Sequence, residues 1–403
     1  MSSRLISRYT NTVLAFDITD GEKATTCAQP SDEDIAHFTE RTLKMFDKSN
    51  ATYLVLFGLG SGAQALALDK ALPGKAKLIV CETNLTTART FLEHNPAWRE
   101  DDTRSSIISD SSPWAQLYLL ATIGATPKNT SLALNPDIPE DNRKRYQALQ
   151  RLFMNAKPHQ AINSTYLSHL AVQAPNLSVG VILDPNEPDL DTFFAQFPDW
   201  IKEIVVIWDA DTVPDTNCSC AVPIRQFAQP LEDFSTQRNR MLDECSGDWV
   251  LYLDGDELFS DDIWNLFTAI MPIKRLEACY FPRMTFYPDE AHCKVGYGMW
   301  PDLQLRLFRK KDGVRFERPI HERLTGINGR IALALDSPIL HYSRLRKSPA
   351  ELTAKLKRFD EAGGNSVHHM LNDDYPNLER TLFSEASLIS GSLEVLLLEE
   401  NPS

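Results

Sequence analysis

Asp254, Asp256 and Glu257 crowd together directly after the apolar run Trp249–Leu253, in the stretch GDWVLYLDGDELFSDD (247–262). The run has no polar alternation, which suits a central strand buried on both faces. Asp254 is then expected at the strand's C-terminal end, where open α/β sheets bind ligands. Side chains alternate along a strand, so 254 and 256 would share a face, and Gly255 would also allow a sharp turn. Either way two carboxylates converge. Like charges at close range raise each other's pKa, and a hard divalent ion with oxygen ligands relieves the repulsion. Asp254 and Asp256 are therefore candidate ligands for Mg²⁺ or Mn²⁺. An Asp-Gly-Asp after a strand also reads as a solvated turn. A phosphatase with an aspartyl nucleophile uses strand-Asp-x-Asp as well, with Asp254 attacking phosphate. An EF-hand is excluded, because neither its Gly nor its closing Glu stands at the required offset.

Elements on both sides must hold this turn. Ser260 is expected to N-cap a helix opened by Asp261 and Asp262, acids that complement the helix dipole, with Ile263, Leu266, Phe267 and Ile270 as its buried stripe. Upstream, LSVGVILDPNE and WIKEIVVIWDAD read as strands of the same αβ series. Downstream, CYFPRMTFYP, LQLRLFRKKDGVRFERPIHERL and IALALDSPILHYSR read as antiparallel strands and a flap. The last stretches, SPAELTAKLKRFDEAGG and LERTLFSEASLISGSLEVLLLEE, read as helical.

An earlier αβ series starts the chain. TVLAFDI reads as a short strand, and SDEDIAHFTERTLKMF as a helix capped by Ser31, with Ile35, Phe38, Met45 and Phe46 near one face. YLVLFGLGSGAQALALDKAL then gives strand, Gly-rich turn and helix; AKLIVCE ends in Glu82, and SIISDSS and NTSLALNP supply further strands. In such a turn Gly58, Gly60 and Gly62 let backbone N–H groups meet a ligand while Glu82 holds a ribose and Asp110 touches the same molecule. The same glycines serve tight strand-to-helix packing equally well. Strands alternating with helices imply parallel sheets covered on both faces. The expected fold class is α/β: residues 1–150 a Rossmann-like domain, 151–175 a helical linker, 176–365 a second α/β domain, and 366–403 a helical segment.

With 403 residues the chain exceeds one ordinary core, and 43% hydrophobic and 24% charged residues are globular proportions. A net charge of −14 argues against non-specific nucleic-acid binding. Yet Gln304–Arg346 holds ten Lys or Arg against four Asp or Glu, a surplus of six that suits an anionic small molecule. Seven cysteines without a CxxC pair signal neither a disulfide framework nor a zinc knuckle. With no apolar stretch for a signal peptide or a membrane span, a cytoplasmic protein is expected, with peripheral membrane contact left open.

DFSTQRNRMLDECSGDWVLYLDGDELFS, PDLQLRLFRKKDGVRFERPIHERL and SPILHYSR together resemble the family 2 glycosyltransferases, in particular the bacterial branch of lipopolysaccharide-core and peptide glycosyltransferases. The resemblance covers residues 176–365. It implies a GT-A fold in which Asp254 and Asp256 hold a metal under the diphosphate of a nucleotide-sugar, with a uridine diphosphate sugar as the default donor. It also implies that Asn186 and Glu187 lie beside the nucleotide, that Asp209 and, less directly, Asp211 meet base or ribose, and that Arg238 approaches the donor phosphates. Arg306, Arg309 and Arg323 offer one further ligand contact. An inverting transfer needs a base, for which Asp302 and Glu322 are the candidates. His321 or His341 would complete the metal shell, since neutral imidazole suits Mn²⁺. The chain departs from the family's usual pattern at DPNEPD and ADTVPD, which leaves nucleotide preference open. The acceptor would be a glycan, a lipid or a protein. The Gly-rich segment, about residues 50–125, resembles both class I methyltransferases and the Rossmann-like domain of flagellin-glycosylating motility accessory factors. The alternatives are therefore an S-adenosylmethionine-dependent methyltransferase using Gly58, Gly60, Gly62 and Glu82, and a non-catalytic nucleotide-sugar binding protein.

Overall fold

The computed structural model of the chain describes residues 2–18, 23–25, 27–101, 103–163, 174–215, 220–318, 322–347, 350–354, 374–385 and 392–399. It divides into two compact α/β units: Met1–Lys157 with Ala291–Asp302 and Asp374–Leu388, and Pro158–Glu290 with Leu303–Asp373 and Ile389–Ser403. Among the described residues no helix is long and apolar enough to cross a membrane.

In the first unit the elements follow as α1 (Ser2–Leu14), α2 (Asp32–Ser49), β1 (Tyr53–Phe57), α3 (Ala63–Ala71), β2 (Lys77–Glu82), α4 (Leu85–His94), β3 (Ser105–Ser109), α5 (Pro113–Thr122), β4 (Thr130–Leu134) and α6 (Glu140–Asn155). The four strands form a parallel sheet in the order β3-β2-β1-β4. TVLAFDI, expected as a strand, begins inside α1 instead. The helix gains its apolar stripe upstream, where Leu5, Ile6, Tyr9 and Val13 are all buried at helical spacing. Ser31 and Asp34 form the capping box that starts α2. Phe46 on this helix is buried while Met45 is 54% exposed, so the apolar face is narrower than the sequence suggests.

Tyr9 and Thr10 of α1 tie it to the β3 end of the sheet: the Thr10 hydroxyl donates to the Ile107 carbonyl at 2.7 Å and the Tyr9 hydroxyl to Asp110 at 2.7 Å. Asp110 is fully buried and also accepts from the Ser112 N–H at 2.6 Å. Burial pushes its carboxyl up to about 6, against the pull of the Tyr9 and Ser112 bonds.

The chain continues through β5 (Lys157–Asn163), β6 (Leu177–Leu183), α7 (Leu190–Ala195), β7 (Glu203–Trp208), β8 (Ile224–Ala228), α8 (Phe234–Glu244), β9 (Trp249–Asp254), β10 (Glu257–Leu258), α9 (Asp261–Ile270) and β11 (Leu276–Thr285). It goes on through β12 (His292–Lys294), β13 (Leu303–Arg309), β14 (Arg315–Glu317), β15 (Arg323–Thr325), β16 (Arg330–Leu333), β17 (Ile339–His341), α10 (Ser343–Arg346), β18 (Asn377–Glu379), α11 (Thr381–Glu385) and β19 (Ser392–Leu398). The β12–β18 pair and α11 fall in the first unit. Residues 392–398, expected as helix, form strand β19. Leucine runs carry no period that separates a buried strand from a helix, and pairing with β16 decides the matter.

The second unit is built on one large sheet in the order β5-β19-β16-β11-β13-β9-β6-β7-β8, with β10 and β17 off this path. Strands β9, β6, β7 and β8 are mutually parallel, and β13 joins β9 antiparallel. Beyond them β11 runs antiparallel to β13, while β16 and β17 run parallel to β11, so the region expected to be antiparallel is mixed. Trp249, Leu251 and Leu253 enter one core cluster, and Val250 and Tyr252 another, as a strand covered on both faces requires. In α9, Ile263, Leu266, Phe267 and Ile270 are all buried. At the β8 edge, Arg225 bridges Glu203 at 3.1 Å and Glu244 at 2.9 Å.

Helix α8 lies close against β6 because Gly180 has no side chain: a Cβ there would come within 1.9 Å of the Met241 sulfur. Gly180→Ala is expected to cost about 1–3 kcal/mol by overpacking, read as a lower urea midpoint at unchanged m. Asp110 carries a pH signature. Its folded pKa exceeds its unfolded one, so its contribution is fully present below pH ~4 and declines as pH rises to ~6. At about 1.4 kcal/mol per pKa unit this amounts to about 3 kcal/mol. Asp110→Asn should remove that decline in urea titrations across this range, and a wild-type profile matching the variant's would contradict it.

Candidate functional site

In the four parallel strands of the second unit, the order β8-β7-β6-β9 reverses between β6 and β9. A sheet opens a crevice at such a switch point, outside the carboxyl ends of the two strands. β6 ends at Leu183 and leads into Asp184–Glu187, while β9 ends at Asp254 and leads into Gly255–Glu257. The two turns touch: a Cβ at Gly255 would lie 2.8 Å from the Leu183 side chain and 2.9 Å from Glu187 Cγ. Gly255 thus lets Glu187 and the acidic turn share one space.

Cations surround the acids. Asp254 accepts from Arg238 Nη2 at 3.0 Å on one oxygen and from Arg306 Nη2 at 2.8 Å on the other. Arg306 Nη2 also reaches Glu257 at 2.5 Å, and Arg283 Nη1 stands 3.5 Å from the same carboxylate. Arg238 turns its Nε to Glu322 in a short ion pair. The two guanidinium groups lie over Tyr252, at 4.7 Å for Arg238 and 4.6 Å for Arg306. Glu257 is wholly buried, and this burial raises its carboxyl despite the opposing pull of Arg306. Burial works against the charge on Arg238 and Arg306 as well. Asp254 with Glu322 outweighs it for the first, and Glu257 with Asp254 for the second, so both stay firmly protonated.

The second acid of the motif lies deeper. Asp256 is 2% exposed and faces Lys347 Nζ at 3.4 Å and His341 Nε2 at 3.6 Å; His341 Nδ1 meets the Thr285 hydroxyl at 2.8 Å. Lys347 Nζ also binds Glu187 at 2.7 Å. Backbone pairing fixes this face, with Glu257 opposite His341 and the Tyr342 N–H donating to the Asp256 carbonyl at 3.0 Å.

The fold therefore gathers Glu187, Arg238, Asp254, Asp256, Glu322 and His341 from the sequence candidates. Asn186 is exposed, its backbone and side-chain nitrogens bonded to Asp184. Asp209, at the end of β7, accepts from the Leu231 N–H at 2.7 Å, and Asp211 is exposed. Asp302 belongs to the first unit's 291–302 segment, at a backbone φ of +23°. Of the three arginines, only Arg306 is at the acids: Arg309 lies over Trp249, and Arg323 is exposed. His321 lies outside the described residues. Sequence reasoning missed Lys347 and Arg283. The signal was faint, a basic residue shortly after the SPILHYSR strand, since only the β10–β17 pairing brings 347 to 256. As a divalent-ion site this donor set does not fit: both Asp254 oxygens are on guanidinium groups and Asp256 faces an ammonium. Among the described residues no three His, Cys, Asp or Glu side chains gather to hold a metal.

In the first unit the Gly-rich turn is filled by its own chain. A Cβ at Gly58 would strike Ile138, at Gly60 Asn135 and Asp137, and at Gly62 Phe91, all under 3.0 Å. Glu82 is buried and takes the Leu59 N–H at 2.8 Å, the Asn84 N–H at 2.7 Å and a short bond from the Tyr146 hydroxyl. Its two oxygens are thus engaged within the fold.

No family model matches the chain. A TPR repeat-containing protein of Synechococcus elongatus is 35% identical over 92 residues, 23% of this chain; the chain spans about a fifth of that relative's length. Staphylococcus aureus TarS (residues 1–349, in complex with UDP-GlcNAc) is 15% identical with a TM-score of 0.30, covering 46% of this chain and 66% of that one. A Klebsiella pneumoniae protein described as an O-methyltransferase is 12% identical with a TM-score of 0.22, covering 42% of this chain and 67% of that one. At such scores neither likeness bears on activity.

Arg306 is 3% exposed and compensates Glu257, which is wholly buried. Arg306→Met is expected to cost about 3–5 kcal/mol in urea unfolding by stranding that carboxylate, and adding Glu257→Gln should return part of the loss.

Proposed function

We propose that the second unit is a glycosyltransferase that moves a sugar from a nucleotide-diphosphate donor to a glycan, lipid or protein acceptor. One observation supports this above the others: buried Arg238 and Arg306 meet Asp254 at the switch point between β6 and β9. Breaking a sugar–phosphate bond leaves a diphosphate anion, and preorganised cations in a water-poor crevice stabilise that developing charge. The second unit also carries the surplus of basic residues over 304–346. Arg forks match phosphate oxygens in pairs, which makes Arg238 and Arg306 the groups to meet the departing diphosphate. Asp254 holds the two forks at a fixed spacing, and Tyr252 fixes the plane beneath them. Asp209 at the end of β7 serves the nucleoside, with Asn186 and Asp211 at the open rim.

In an inverting displacement the acceptor oxygen attacks the anomeric carbon, the carbon–phosphate oxygen bond breaks, and the acceptor proton passes to a carboxylate. Glu322, tethered to Arg238, is the base in this reading.

The test is release of nucleoside diphosphate from a panel of nucleotide-sugars, UDP-sugars first. Arg238→Lys keeps the charge and loses the fork, and should slow release by about 100-fold or more, the usual size for one lost transition-state donor. Release at the wild-type rate in that variant, or none from any nucleotide-sugar in the wild type, would end the proposal.

A further inference from the structure

Lys347 stands where the acids most need a cation. Its ammonium lies 2.7 Å from Glu187 and 3.4 Å from Asp256, bridging the turn after β6 to the turn after β9. The side chain is only 12% exposed. Its placement follows from the fold: β17 pairs with β10, the Tyr342 N–H donates to Asp256, and α10 carries the chain from there to 347. An ammonium has three donors, of which Glu187 and Asp256 take two. In the cluster as a whole acids outnumber cations by one. Glu187, Asp254, Asp256, Glu257 and Glu322 make five carboxylates, and Arg238, Arg283, Arg306 and Lys347 make four cations, with His341 beside Asp256. Among the described residues, Arg306 Nε is buried without a hydrogen-bond partner. Buried donors without partners are costly, and a ligand oxygen would satisfy this one.

We infer that Lys347 is the resident counter-ion of the Asp-Gly-Asp turn, and that the site binds a nucleoside diphosphate through Lys347, Arg238 and Arg306 without a divalent ion. This rests on the nucleotide-sugar reading above. A divalent ion bridges acids to phosphate by sharing its charge between them. Lys347 does the same by hydrogen bonds, two to the acids and one left for a phosphate oxygen, and the guanidinium forks add further N–H donors.

Calorimetric titration of the full chain with UDP, GDP, CDP and dTDP, in excess EDTA and separately in excess Mn²⁺, tests both layers. At least one nucleotide is expected to bind, with Kd in EDTA within about threefold of that in Mn²⁺, well under the tenfold that 1.4 kcal/mol represents. Lys347→Ala should weaken binding in EDTA by about tenfold or more, and Lys347→Arg should recover most of it; melting curves establish that each variant is folded. Wild-type binding about tenfold tighter in Mn²⁺, or unchanged affinity in folded Lys347→Ala, overturns the counter-ion assignment and leaves the nucleotide reading standing. The wild-type comparison decides the matter even if the alanine variant does not fold. Binding of none of the four nucleotides in either condition overturns both.

Discussion

Asp254 shares its two oxygens between Arg238 and Arg306, and the rest of the candidate site is arranged around that contact. Burial works against each guanidinium charge and the opposing carboxylates outweigh it, while each carboxylate would repel its neighbours without the guanidinium groups. The Tyr252 ring lies against both forks, so the position of one limits the other. A buried array of this kind is weak evidence of stability but strong evidence of a fixed geometry. Its members come from β9, β13, α8 and the chain before β15, elements far apart in sequence that only the assembled sheet brings together.

The run from Trp249 to Leu253 announced its own strand, because a stretch that is apolar on both faces admits little else. Asp254 at its end and the parallel neighbours β6 and β7 followed from the same reasoning. What single-sequence reading could not see was the identity of the compensating charge. Crowded acids call for a cation, and a divalent ion was the local answer. The fold supplies Arg238 from a helix before the motif, Arg306 from an antiparallel strand after it, and Lys347 from beyond β17. No spacing rule links these positions. The C-terminal strand was missed for another reason: Val395–Leu398 is uniformly apolar, and only its partner strand determines its conformation.

The two Gly-containing turns make a useful contrast. In the first unit each glycine of Gly58–Gly62 admits a side chain of the same unit, and Glu82 spends its oxygens on neighbouring N–H groups and Tyr146. In the second, Gly255 admits Glu187, a charged group of the acidic cluster. The same residue type serves packing in one place and assembly of a charged cluster in the other. A glycine pattern alone therefore carries little information about ligands.

Among the described residues β8 is the last strand on its side of the large sheet, so its outward backbone groups are a template on which a foreign strand can grow. Arg225, braced between Glu203 and Glu244 and lying over Phe227, holds fixed charge at that border. An incoming strand would have to strip water from this triad before pairing. Fixed charge of this kind raises the cost of adding a strand at that side of the sheet.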